Sequence, residues 1–241
     1  MAGFLEDVNL IMIRLHDVMR RIVVFSDRDG TINKDENYYL GSNPKWKEQL
    51  SFLEGVIEGI HLINKIHDSE LFILTNQSGV AMQGGDFDNL TVERMHEVNR
   101  YIIDELRKNG CRVTGYFACP YVDKKYAEKA RNNGMNVNPA FIVDNNSDLK
   151  PNIGMIEKAL MQLNVERERA RIYMIGDRAS DIEMGLNAGG IGILIESFKT
   201  KELGDIDKVR KMGDKVYVAH NYLDAARIIE RDVKERLLNI H

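Results

Sequence analysis

Ile22-Val23-Val24-Phe25-Ser26-Asp27-Arg28-Asp29-Gly30-Thr31-Ile32-Asn33 is the stretch that decides the fold. Its first four residues form an apolar run rich in Val and Ile, the pattern of a strand buried on both faces of a parallel sheet. The run ends in two carboxylates one residue apart. Asp27 and Asp29 therefore stand where a strand gives way to a loop, the side of an open α/β sheet on which ligands bind. Side chains at i and i+2 leave a strand end in roughly the same direction. If a cation offsets their repulsion, Asp27 can attack an electrophile while Asp29 handles the proton. Gly30 lets the chain turn sharply without a Cβ penalty. Asp-Gly is also a common surface turn, so this stretch gains its meaning from the others.

Two later stretches repeat the theme, and a third adds a cation. Leu71-Phe72-Ile73-Leu74 runs into Thr75-Asn76-Gln77-Ser78-Gly79, placing a hydroxyl, an amide and free backbone N–H groups at the same sheet edge. Such groups suit phosphate oxygens. Ile172-Tyr173-Met174-Ile175 runs into Gly176-Asp177-Arg178-Ala179-Ser180-Asp181. There Asp177 can reach a metal that Asp27 also binds, and Asp181 either opens the next helix or supports Asp177. Between them, Lys150-Pro151 is expected to open a helix running to about Leu163, with Pro151 in its first turn. Lys150 and the helix N-terminus would then converge on one anion.

Helical spacing predicts further elements around these strands. One helix is expected over 3–20, another over 56–66 with Ile57, Ile60, Leu62 and Ile63 inward. A third spans 91–108, with Thr91 as N-cap and Gly110 as stop. Strands are expected over 113–118, 191–195 and 216–219, and a final helix over 221–238. Trp46 reads as a packing anchor or part of a rim over the site. Residues 119–149 are polar, irregular and long for a loop, which points to a role in choosing the substrate.

The balance of charges bounds the partners. A net charge of −4 over 241 residues argues against a general nucleic-acid binder. Two cysteines, Cys111 and Cys119, are too few for a disulfide framework and fit a reducing cytoplasm. The N-terminal stretch is interrupted by charges and reads neither as a signal peptide nor as a membrane span.

Taken together, Asp27-Arg28-Asp29-Gly30-Thr31, Thr75-Asn76-Gln77-Ser78-Gly79, Lys150-Pro151 and Gly176-Asp177-Arg178-Ala179-Ser180-Asp181 resemble the four motifs of the haloacid dehalogenase (HAD) superfamily. The wording of the first two is similar to a nearly capless branch. It contains heptose-bisphosphate phosphatases, histidinol-phosphate phosphatases and the phosphatase domain of polynucleotide kinase/phosphatases. About 40 residues separate these two motifs, too few for a cap domain. The resemblance implies a three-layer α/β/α sandwich with a mainly parallel sheet, the Asp27 strand lying between the Thr75 and Asp177 strands. Residues 1–21 would be an N-terminal helical extension, and 22–241 one phosphatase domain with a specificity loop at 119–149.

It also implies a chemistry. Asp27 would be the nucleophile and Asp29 the acid and base. Mg²⁺ would be held by Asp27, the Asp29 carbonyl and Asp177. Thr75, Asn76 and Lys150 would bind the phosphoryl group. The expected function is a Mg²⁺-dependent phosphomonoesterase acting on a small phosphorylated metabolite, a sugar, polyol or histidinol phosphate. The alternatives are a nucleic-acid 3′-phosphatase and a non-catalytic phosphate-binding protein. The expected enzyme is a monomer or homodimer with no membrane partner. The zinc loop of the heptose-bisphosphate branch keeps only Cys119-Pro120, with Tyr121 and Val122 where histidines would stand, so no structural zinc is expected. Leu149 occupies the place of an Arg that helps that branch bind phosphate.

Overall fold

The computed structural model describes residues 21–35 and 39–238. The helix expected over 3–20 lies outside the described residues. Six parallel strands form the central sheet: β1 (Arg21–Ser26), β2 (Ser69–Asn76), β4 (Gly115–Cys119), β6 (Ala170–Gly176), β7 (Ile191–Ile195) and β8 (Val216–Ala219). Their order is β4-β2-β1-β6-β7-β8. The Asp27 strand is thus central, flanked by the Thr75 and Asp177 strands as the resemblance implies.

Strand alternation explains the three layers. Ile22 and Val24 face one side of the sheet with Ile73 and Ile175. That side is covered by α2 (Val56–Lys65), α3 (Val92–Lys108) and α9 (Tyr222–Leu238). Val23 and Phe25 face the other side, where α5 (Gly154–Gln162) and α6 (Ala179–Asn187) supply Met155, Ile156 and Met184. Central strands packed on both faces must be apolar where they are covered, as at Ile22–Phe25 of β1 and Leu71–Leu74 of β2. On α2 the buried residues are Val56, Gly59, Ile60 and Ile63. Ile57 and Leu62 are only half-buried at the edge of the same core.

The Thr91 hydroxyl caps α3 by accepting the Arg94 N–H at 3.1 Å. The helix stops at Gly110, whose φ of +76° favours glycine. Trp46, in the short α1 (Trp46–Gln49), is a packing anchor: it is buried, with Tyr101 edge-on to its ring. On α9, Asp232 accepts hydrogen bonds from the Tyr173 hydroxyl at 2.5 Å and Arg171 Nε at 2.8 Å, tying the C-terminal helix to β6. No helix among the described residues is long and apolar enough to cross a membrane.

Residues 119–149 carry structure of their own. Asp123 caps α4 (Lys124–Asn132) by accepting the Tyr126 N–H, and β5 (Asn136–Val137) pairs antiparallel with β3 (Met82–Gln83). Ala81, Met82, Val122, Ala127, Ala130 and Val137 form a small apolar cluster beneath this segment. A long connection needs such a cluster to hold one conformation.

One expectation is corrected here. The helix after Lys150 begins at Gly154, not at Pro151, and the Lys150–Pro151 peptide is cis. The Gly154 N–H already donates to the Ser147 carbonyl at 2.8 Å. The segment Asn146–Asn152 turns on its own Asn146 contacts, with the Asn146 side chain accepting the Asp148 N–H and its carbonyl the Asn152 amide. Pro151 therefore belongs to a turn that precedes the helix. The helix end expected at Lys150-Pro151 thus begins only at Gly154.

Candidate active site

The C-terminal ends of β1, β2 and β6 open into a cavity of about 1050 Å³. Asp27, Asp29, Thr75, Asn76, Lys150 and Asp177 all line it, so every residue expected from sequence is brought to one place. Parallel strands released at the same sheet edge make this unavoidable once β1 sits between β2 and β6.

Asp27 continues the ladder, its N–H donating to Ile175 O at 2.8 Å. Lys150 Nζ lies 2.5 Å from Asp27 Oδ1 and 2.8 Å from Asp181 Oδ1, and all three side chains are nearly inaccessible. Asp177 is fixed by the Ser197 hydroxyl, which donates to its Oδ2 at 2.9 Å, and by Thr200 Oγ1 on its carbonyl at 2.7 Å. Asp181 sits in the first turn of α6, where its Oδ2 accepts the Arg178 N–H at 3.1 Å. Of the two roles considered from sequence it takes the first, opening the helix; its other oxygen holds the Lys150 ammonium, a contact that the sequence reading did not anticipate.

Two glycines make the crowding possible. A Cβ on Gly30, whose φ is +81°, would come within 2.4 Å of Asp177 Oδ2. A Cβ on Gly176 would come within 2.3 Å of the Asp181 Cβ.

One oxygen from each of Asp27, Asp177 and Asp181 lies within 4.8 Å of the others. Burial, only partly offset by the Lys150 charge and reinforced by Asp181 and Asp29, pushes the Asp27 carboxyl up to about 7. Burial together with the Asp27 and Asp181 charges pushes Asp177 up to about 8. For Lys150 burial works against the charge, but the Asp181 and Asp27 carboxylates outweigh it and hold the ammonium protonated. When they ionise, the three buried carboxylates outnumber the one ammonium beside them. Hard oxygen donors so arranged fit a divalent cation such as Mg²⁺.

Asp29 behaves oppositely. Burial would raise its pKa, yet the Arg28 charge and hydrogen bonds from Arg28, Asn33 and Gln77 hold it below the ordinary carboxylate value. Thr75 Oγ1 accepts from Gln77 Nε2 at 2.8 Å, and Asn76 Oδ1 accepts the Lys150 N–H at 3.3 Å.

Sequence reasoning missed Asn99, Gln77, Ser197 and Thr200 as parts of this site. Asn99 had a usable signal: it is a polar residue inside the stripe Met95, Val98, Ile102, Leu106 that α3 turns inward. Ser197 and Thr200 had none, because they follow β7 and reach Asp177 only through the fold.

Residues 148–225 match the family model described as HAD-hydrolase-like. The D-glycero-beta-D-manno-heptose-1,7-bisphosphate 7-phosphatase of Rhodopseudomonas palustris is 32% identical over 177 residues, 73% of this chain and 84% of that protein. The chain belongs to the HAD-like phosphatase family. The Escherichia coli enzyme of the same name is 28% identical to this HAD phosphatase over 177 residues, 73% of this chain and 80% of that one. Among solved structures, the D,D-heptose 1.7-bisphosphate phosphatase from B. bronchiseptica, complexed with magnesium and phosphate, shares the fold. Its TM-score is 0.64 at 19% identity, covering 87% of this chain and 98% of that one.

Proposed function

We propose that this HAD phosphatase is a Mg²⁺-dependent phosphomonoesterase that hydrolyses a small phosphorylated metabolite through an aspartyl-phosphate. The observation that carries this reading is the meeting of Asp27, Asp177, Asp181 and Lys150 at one buried point beneath the cavity. In the first step an Asp27 carboxylate oxygen attacks phosphorus, and the bond to the leaving oxygen breaks. Asp29 gives that oxygen its proton, then takes one from the water that cleaves the acyl phosphate. The donors around Asp29 favour its ionised form, which the second step requires. To act as the acid in the first step, Asp29 must first take up a proton from solvent against those donors, and it returns to the ionised form when that proton passes to the leaving oxygen. Lys150, Thr75 and Asn76 hold the phosphoryl oxygens. Asp27, the Asp29 carbonyl and Asp177 would hold Mg²⁺, which when bound neutralises charge on the phosphoryl group.

We take residues 119–149 to select the substrate, because Val122, Asp123 and Tyr126 line the cavity. Among the described residues the four cations that line it are all ion-paired: Arg28 with Asp29, Lys150 with Asp27 and Asp181, Arg178 with Asp205, and Lys199 with Asp35. Together with Leu149, this favours a sugar or polyol carrying one phosphate over a bisphosphate.

The test is phosphate release from a panel of sugar and polyol monophosphates, histidinol phosphate, heptose bisphosphate, nucleotides and a 3′-phosphorylated oligonucleotide, with Mg²⁺ or with EDTA. Release from monophosphates that EDTA abolishes is the expected result. Turnover of the oligonucleotide alone would replace this reading with the nucleic-acid one. Phosphate binding without any turnover would replace it with the non-catalytic one.

Metal binding has a second signature. The folded protein keeps protons on Asp27 and Asp177 between the unfolded value of 3.8 and about 7 to 8. Their contribution to stability is therefore greatest at low pH and is lost as pH rises through that window. In EDTA, Tm should fall between about pH 6 and pH 8, and Mg²⁺ should raise it more at the higher value. A Mg²⁺ shift of equal size at both values, or none, would rule out these carboxylates as the metal site.

A further inference from the structure

Arg28 is the largest fully buried side chain described, 1% exposed, yet it lies between two acidic residues in the chain and lines the cavity. A guanidinium out of water must have its donors used. Nε lies 3.1 Å from Asp29 Oδ1 and Nη2 2.7 Å from Asp29 Oδ2, a two-point grip on the carboxylate. Nη2 also donates to Gln77 Oε1 at 2.9 Å, while Gln77 Nε2 returns to Asp29 Oδ2 at 2.7 Å. On the far side, Nη1 donates to Asn99 Oδ1 at 3.1 Å, from a residue 71 positions away in sequence. Asn99 is itself 1% exposed and locked, its Nδ2 donating to Met95 O one turn back on α3 at 2.8 Å.

We infer that Asn99 is a positioning residue for proton transfer: by anchoring Arg28 Nη1 to helix α3, it sets the plane of the guanidinium that aims the Asp29 carboxylate at the leaving oxygen. This rests on the proposed role of Asp29. The physical reason is rigidity. A planar fork held at Asp29 alone can rotate with the carboxylate, whereas one also pinned at Asn99 on a packed helix cannot. Proton transfer needs donor and acceptor within hydrogen-bond reach, so a loosened plane weakens that step while leaving attack by Asp27 untouched. A merely structural Asn99 would satisfy a buried cation and affect every substrate alike.

The leaving group separates the two. With Mg²⁺ present, kcat/KM is measured for substituted phenyl phosphates, from 4-nitrophenyl, which departs without a proton, to 4-methoxyphenyl, which needs one. The wild type should show a shallow dependence on leaving-group pKa. Asn99→Leu should lose about tenfold on the methoxy substrate and less than about twofold on the nitro substrate. Asn99→Asp keeps an acceptor for Nη1 and should retain the shallow dependence. If the leucine variant does not fold, Asn99→Ser, whose hydroxyl is too short to reach Nη1, carries the same expectation. An equal loss across the series would overturn the inference, as would a steep dependence in Asn99→Asp. Asp29→Asn is the control for the underlying reading. If it leaves the dependence shallow, the acid role of Asp29 fails. If it steepens the dependence and the Asn99 variants do not, only the positioning role fails.

Discussion

Asp27→Asn should yield a folded protein whose phosphate release is slower by at least about 10⁴-fold, because an amide is no nucleophile toward phosphorus and no other carboxylate occupies its place. Asp27 leaves β1 on the ladder to Ile175, and Asp29, two residues on, is held away by Arg28, Asn33 and Gln77. The variant should also be more stable than the wild type in EDTA at pH 8, since burial makes ionisation of Asp27 costly and the amide never ionises. Near pH 5 the advantage should vanish, because the wild-type carboxyl is then protonated too. Phosphate release and thermal melts at both pH values check this. Retention of more than about 1% of wild-type turnover would remove Asp27 as nucleophile.

The second large effect is at Lys150. Lys150→Met should lose about 10³-fold in turnover, because the ammonium acts in a water-poor site where negative charge concentrates on the phosphoryl oxygens. It should also destabilise the metal-free fold by about 3–5 kcal/mol, the usual cost of removing one partner from a buried ion pair. Here the partner lost serves two carboxylates, Asp27 and Asp181, with side chains 10% and 2% exposed. The sign with pH follows: without the cation the Asp27 carboxyl, already pushed up by burial, resists ionisation further, so the stability deficit should grow from pH 6 to pH 8. Lys150→Arg should not restore turnover, since a planar fork cannot occupy the space of a point charge between two carboxylates. Urea denaturation in EDTA and initial rates in Mg²⁺ measure the two effects separately. A methionine variant with near wild-type rates would show that Lys150 is structural only.

Much of the scaffold was legible because its signals are local. The apolar runs ending at Ser26, Thr75 and Gly176 mark strands whose ends must share one edge, and the strand boundaries at 191–195 and 216–219 match the structure. Thr91 and Gly110 bracket α3 because caps are chosen by the few residues next to them. The helix after Lys150 starts later than Pro151 suggests, for a reason of the same kind in reverse. Pro151 fits a first helical turn, but the Ser147 carbonyl and the Asn146 side chain, residues from the preceding loop, shape a turn there instead.

The sequence by itself determined the α/β class, the order of the motifs and the set of charged residues delivered to one sheet edge, because periodicity and strand ends are properties of neighbouring residues. Only the tertiary structure decided what those charges face. Lys150 lies 123 positions from Asp27 in the chain and Asn99 lies 71 from Arg28, and each pair meets because two packed elements leave no water between them. Burial turns such meetings into strong interactions, and burial belongs to the folded chain as a whole.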